Sequence, residues 1–248
     1  MSVLTKAQKQ DFRDRGFLAV GALVAEIYVE NMMRRLEYLC ENWDGPEAER
    51  VGVGQEMDQG NTAIAEKTAA TVRKFSGLTP HEPIFAKYMR ESKVADVAVE
   101  LIGTPLCLHG DQALMKPPEV GSEKPFHQDH AYFEVTPDDA VITCWCALDE
   151  ATIENGCLHY LSGSHKRGLV EHENIENTPH LVPPGLRRED AVPVPAKPGT
   201  VVFHHGWALH MSPPNQTSAW RRAMVLHFVR GDAETPKREK PLQIIRAG

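Results

Sequence analysis

The sequence predicts a mainly β domain, an antiparallel sandwich with helices packed on one sheet. Two observations carry this. Helical spacing and capping signals are concentrated in residues 1–104. From residue 105 the texture changes to short apolar or alternating runs, LCLHGDQALMK, AVITCWCALD, CLHYLSG, AVPVPA, TVVFHH and AMVLHFVR, separated by PPEVG, TPDD, ENG, KPG and PPNQT. Short strands punctuated by turn residues are the pattern of a β sandwich or barrel. No repeat, low-complexity tract or linker divides the chain. Its 248 residues are therefore read as one domain: helix-rich 1–104, a β-sandwich core 105–230 and a C-terminal tail 231–248.

Thr5 opens the first helix, with Gln8 completing a capping box and Gly16 as the stop. Residues 22–42 place apolar side chains at helical spacing. Residues 44–62, rich in Gly, Asp, Asn and Gln, read as a loop. One more helical stretch runs from about Pro83 to Ile102, closed by Gly103 and Pro105. The polar, proline-marked segment 166–190 reads as a loop or lid.

Hydrophobic residues are 42% of the chain and charged residues 25%, an ordinary globular mix; at this size the core needs no covalent staples. Twenty-seven basic against 34 acidic residues give a net charge of −7, and no basic block stands out. Nucleic acid is thus not the expected partner. No apolar run reaches the length of a membrane span and the first residues lack the apolar core of a signal peptide. Five cysteines (Cys40, Cys107, Cys144, Cys146, Cys157) are an odd set. Cys144 and Cys146 point the same way from one strand, a poor geometry for a mutual disulfide, so reduced thiols and a cytoplasmic location are expected.

The chemistry lies among the twelve histidines. His159 and His227 fall in strand-like runs and are expected to be packed; His165, His172 and His180 lie in polar stretches and are expected to be solvated. A His and an Asp two apart on a strand face the same side and can share a metal. The chain has two such pairs, His109-Gly-Asp111 and His127-Gln-Asp129, so one can be accidental. A facial triad of two His and one carboxylate needs a second His from a distant strand; His210, after TVVFHHGWAL, is the best placed, with His205 at most an outer neighbour. A guanidinium would suit the second carboxylate of a dicarboxylate cosubstrate. Arg221 and Arg222 open the next strand, and only one of the two can face inward.

Three runs, FHQDHAYF, AVITCWCALDEATIENGCLHYLSGSHKRG and HMSPPNQTSAWRRA, together resemble the phytanoyl-CoA dioxygenase family of Fe(II)- and 2-oxoglutarate-dependent oxygenases. The likeness covers most of residues 105–230, and DFRDRGFLAV resembles the family's opening helix and turn. The resemblance implies a double-stranded β-helix (jelly roll, cupin-like). It implies His127, Asp129 and His210 as iron ligands, and Arg221, Ser212 and Trp145 as contacts of 2-oxoglutarate, with O2 as the other cosubstrate. Lys74, in VRKF, matches an upstream basic residue near the site. Asn155-Gly156-Cys157 matches a family turn and is read as structural; His109 and Asp111 are expected to line the pocket or bind backbone. Asn215-Gln-Thr217 is a glycosylation sequon that a cytoplasmic protein would not use.

The reaction implied is oxidation of a small molecule coupled to decarboxylation of 2-oxoglutarate to succinate. Asp129 occupies the position that related halogenases leave open for chloride, so hydroxylation-type chemistry is favoured. A natural-product or metabolite tailoring step is expected, in a monomer or weak homodimer without a macromolecular or membrane partner. The alternatives are a phytanoyl-CoA-like acyl-CoA hydroxylase, a cupin-type metal enzyme without 2-oxoglutarate, and a binding protein that kept the fold.

Overall fold

Thr5 caps the first helix as its sequence predicts. Its side chain accepts from the Gln8 amide, the Gln8 side chain accepts from the Thr5 amide, and α1 (Lys6–Arg15) ends on Gly16 at φ 83°. Only glycine is comfortable in this left-handed region, and a Cβ there would also run into the His165 ring. The computed structural model describes residues 2–62, 64–236 and 242–248.

The chain continues through β1 (Phe17–Val20), α2 (Glu26–Glu41), β2 (Gly52–Gln55) and β3 (Val72–Ser76) to α3 (Pro83–Glu91) and α4 (Val94–Ile102). Next come β4 (Leu106–Lys116), β5 (Lys124–His127), the single turn α5 (His130–Phe133), β6 (Val141–Ala147) and β7 (Leu158–Tyr160). The strands β8 (Glu173–Asn174), β9 (Leu181–Val182), β10 (Val192–Val194), β11 (Val201–His205), β12 (His210–Ser212), β13 (Arg221–Arg230) and β14 (Gln243–Arg246) complete it.

An eight-stranded antiparallel sheet runs β1-β11-β6-β13-β4-β3-β2, with β14 also paired to β4. A four-stranded sheet, β10-β7-β12-β5, forms the second wall, and β8 and β9 make a small hairpin. The result is the expected jelly roll with helices on one face. The period of two along each strand divides the core. Cys144 and Cys146 of β6 and Met224, Leu226 and Phe228 of β13 face α2, α3 and α4, against Met32, Leu36, Phe85 and Val97. Trp145 and Ala147, with Ala223 and Val225, face inward toward Leu158 and Tyr160. β6 is buried on both faces, which is why its sequence reads as a continuous apolar run. Met32, Leu36 and Leu39 of α2 are fully buried, each contributing roughly 1.5–3 kcal/mol.

Four sequence expectations need correction. Residues 44–62 are not all loop, since β2 lies within them and pairs with β3. The stretch 83–102 is two helices, because the backbone turns extended at Ser92 (φ −75°, ψ 159°) and α4 starts anew after Lys93. The tail carries β14, in register with Leu106–Leu108 of β4. Segment 166–190 contains the β8–β9 hairpin. The cysteines are all free, as expected.

Candidate metal and cosubstrate site

The two sheets converge on a cavity of about 360 Å³ lined by residues of β3, β4, β5, β6, β12 and β13. His127 ends β5, Asp129 follows in the turn before α5, and His210 begins β12, directly across the ladder from His127. Their ligand atoms all lie within 4.8 Å of one another, and all three residues are buried. The second pair goes elsewhere. Asp111 accepts from the amides of Leu78 and Thr79 and from the Thr79 hydroxyl, so it binds backbone as one expectation had it. His109 packs on Phe133, and neither His109 nor Asp111 lines the cavity.

Hydrogen bonding assigns the tautomers. His127 Nδ1 is 2.8 Å from the Pro125 carbonyl and His210 Nδ1 is 2.9 Å from the Ala208 carbonyl. A carbonyl only accepts, so each Nδ1 carries its proton and each Nε2 presents a lone pair. These Nε2 atoms lie 3.5 and 3.8 Å from Asp129 Oδ1. Burial holds both imidazoles below their usual pKa, hence neutral, with Lys124 adding to the effect at His127 and His127 at His210. Two lone pairs and a carboxylate oxygen then face one another out of water, a donor set suited to a divalent cation.

The other carboxylate oxygen is already committed. Asp129 Oδ2 accepts from Thr143 Oγ1 at 2.6 Å and from His204 Nε2 at 2.9 Å. His204 Nδ1 therefore accepts from the Tyr160 hydroxyl at 2.8 Å. Thr143 Oγ1, its proton spent on Asp129, accepts from His227 Nδ1 at 2.9 Å, and His227 Nε2 accepts from Gln112. Burial raises the cost of ionising Asp129, but its contacts with His127 and His204 and the nearby His210 outweigh it and hold its pKa well below the ordinary value. The carboxylate is oriented to offer Oδ1 alone, the outer support that metal ligands characteristically have.

Farther along the cavity lies Arg221, 3% exposed, with neither Nε nor Nη1 hydrogen-bonded. Its guanidinium carbon lies 5.6 Å from the Trp145 ring centre, and Trp145 and Ser212 also line the cavity. Burial and the neighbouring Arg73 push the Arg221 pKa down to about 9. A buried guanidinium with unused donors is a site for an anion. Arg222 alternates outward and binds Asp149 and Glu37. Lys74, on β3, lines the cavity as the sequence placed it.

Several assignments change. His204, not His205, reaches the carboxylate. The alternation that puts Val202 beside Trp145 in the register puts His204 on the same inner face, whereas His205 binds the Trp207 amide. Thr143 could have been found two residues before Trp145 by the same rule. His227 is packed as expected but lines the cavity. His180 is buried rather than solvated and lies 3.1 Å from Lys124 Nζ; His172 accepts from the Gln128 amide. His165 Nε2 is bound to the Arg13 carbonyl. His159 is held by the Cys157 carbonyl, and Asn155 locks its turn through Thr152 and Glu150, with Gly156 at φ 89° where a Cβ would strike the Pro213 carbonyl. Asn215 of the sequon is fully buried and caps three carbonyls.

Residues 12–223 match the phytanoyl-CoA dioxygenase (PhyH) family. The chain belongs to that family. A probable phytanoyl-CoA dioxygenase from Caenorhabditis elegans is 27% identical over 245 residues, covering 93% of this chain and 77% of the relative. The fold is shared with the non-heme alpha ketoglutarate dependent carbocyclase SnoK of nogalamycin biosynthesis, at TM-score 0.73, 21% identity and coverage of 94% and 87% of the two chains. It is also shared with EvdO2 from Micromonospora carbonacea var. aurantiaca, solved with 2-oxoglutarate, at TM-score 0.68, 24% identity and coverage of 97% and 98%. No helix among the described residues is long and apolar enough to cross a membrane.

Proposed function

We propose that this family member is an Fe(II)- and 2-oxoglutarate-dependent oxygenase that hydroxylates a small molecule, in a natural-product or metabolite tailoring step. The observation that carries the reading is the pairing, in one cavity, of a cation-demanding His127–Asp129–His210 face with the anion-demanding guanidinium of Arg221. Membership of the family and the 2-oxoglutarate held by the structurally similar EvdO2 support it.

His127 Nε2, Asp129 Oδ1 and His210 Nε2 are the atoms that would hold the metal. Arg221 binds the 2-oxoglutarate carboxylate farther from the metal, with Ser212 as a second donor and Trp145 as a flat wall. When bound, iron and 2-oxoglutarate supply the oxidising chemistry, in which decarboxylation to succinate is coupled to oxidation of the substrate. The protein's own work is placement and exclusion of water: Leu114, Leu158, Met211 and Val225 line the cavity with apolar surface. Asp129 supplies a protein carboxylate where a halogenase would need an open position, which favours hydroxylation.

An anaerobic titration with Fe(II) and then 2-oxoglutarate tests this through the visible charge-transfer band of the chelate. The band, and the slow conversion of 2-oxoglutarate to succinate once O2 is admitted, should both disappear in His127→Ala and His210→Ala. Metal binding with no band and no succinate would instead establish the non-oxidative cupin-type enzyme.

A further inference from the structure

The charges around the cavity can be matched one by one. Among the described residues of its lining Asp129 is the one carboxylate, and it belongs to the metal. Arg73 pairs with buried Glu56 at 2.8 Å. Lys116 lies behind the wall, fully buried, and is within 3.1 Å of three carbonyls, those of Ser122, Ser212 and Pro213, which use all three protons of an ammonium. Arg221 is assigned to 2-oxoglutarate.

Lys124 remains. It opens β5, lines the cavity and makes no ion pair among the described residues. Its Nζ is held by two neutral acceptors, the Tyr132 hydroxyl at 2.9 Å and His180 Nδ1 at 3.1 Å, leaving one proton for a group entering the cavity. The same Tyr132 oxygen accepts from the Leu181 amide, so Lys124 stands where the 166–190 segment closes over the wall. Lys124 belongs to the four-stranded sheet and is held by Tyr132, which packs edge-on against His127, and by His180 of the hairpin segment. Arg221 belongs to the eight-stranded sheet and stands beside Trp145, so the two cations enter the cavity from different walls. A volume of about 360 Å³ is near the lower end of the usual ~300–1,000 Å³ for ligand sites, and 2-oxoglutarate takes part of it.

We propose that Lys124 anchors an oxyanion of the substrate, which is then a compact molecule carrying a carboxylate or a phosphate-type group. Lys74, also without an ion pair among the described residues, adds positive potential from the facing strand. A substrate anion held there would place its carbon skeleton between Lys124 and the metal face, and would brace the 166–190 segment through Tyr132 and His180. The proposal rests on the oxygenase reading.

The test uses protein loaded anaerobically with Fe(II) and 2-oxoglutarate, loading being checked by the chelate band. Calorimetric titration then measures inorganic phosphate, propionate and the neutral isostere propionamide against wild type, Lys124→Gln and Lys124→Arg. Phosphate or propionate should bind wild type and Lys124→Arg about tenfold or more tightly than Lys124→Gln. Propionamide should not distinguish the three, and 2-oxoglutarate affinity should be unchanged. The tighter of phosphate and propionate identifies the class of oxyanion. A parallel loss of propionamide in Lys124→Gln would make Lys124 only a prop for the hairpin segment and overturn the proposal. Weakened binding of 2-oxoglutarate in Lys124→Gln would make Lys124 a cosubstrate residue and overturn it equally. Equal oxyanion binding in all three proteins with a normal band overturns the proposal alone; absence of the band in wild type overturns the oxygenase reading beneath it.

Discussion

Replacing Arg221 by Met isolates the anion site while keeping most of the side chain's volume. Two of the guanidinium nitrogens have no protein partner and the residue is 3% exposed, so the folded protein without cosubstrate carries an incompletely compensated buried charge. Removing that charge relieves its desolvation, and the ligand-free variant should melt no lower than wild type. Binding should change in the opposite sense. Losing one partner of a desolvated charge pair costs about 2–5 kcal/mol, which corresponds to 2-oxoglutarate affinity about 30-fold or more weaker. A ligand present at 100 times its Kd stabilises by about 2.7 kcal/mol, so 2-oxoglutarate added with Fe(II) should raise the wild-type melting temperature and, at the same concentration, stabilise Arg221→Met by no more than about 0.9 kcal/mol. Metal affinity should stay near normal, because Arg221 touches none of the three ligands. Arg222→Met is the internal control. It loses the fork to Asp149 and the contact with Glu37, so it should be less stable yet bind 2-oxoglutarate normally. The assay is thermal melting of both variants with and without 2-oxoglutarate, paired with the chelate titration. Normal cosubstrate affinity in Arg221→Met, or its loss in Arg222→Met instead, would refute the assignment.

Thr143→Val removes one of two donors to Asp129 Oδ2 without changing side-chain shape much, and should weaken Fe(II) binding about 10–100-fold in an anaerobic metal titration. Glu100 offers a pH test at the N-terminus. Burial disfavours its charge, but Lys9, the Ser2 hydroxyl and the amides of Val3 and Leu4 outweigh this and bring its pKa to about 2. A carboxylate depressed in the folded state stabilises above its unfolded value, and that stability fades as pH falls through the folded one. Glu100→Gln should therefore cost about 1–2 kcal/mol at pH 7, allowing for solvent screening, and the difference should shrink as both proteins are melted at pH values descending from about 4.5 toward 2.

Much of the β core and the metal face was legible in the sequence because each depends on local order. LCLHGDQALMK is β4 residue for residue, and the spacing of His127 and Asp129 in one short run makes them one of two candidate ligand pairs before any fold is known. The Arg221/Arg222 alternation was legible for the same reason, a strand's period of two. Tertiary structure alone decided which of the two His-x-Asp pairs faces the metal site. Asp111 sits on a strand too, but its carboxyl meets the amides of Leu78 and Thr79, brought there by the packing of a segment more than thirty residues away. It likewise decided that His204 rather than His205 supports Asp129, because alternation assigns the two to opposite faces and only the second sheet says which face is inner. That Lys124 forms no ion pair among the described residues, and that Arg73 pairs with Glu56, are properties of charge summed across strands and loops distant in the chain. No window of sequence contains them, since electrostatic compensation is settled by distance in space and by the exclusion of water.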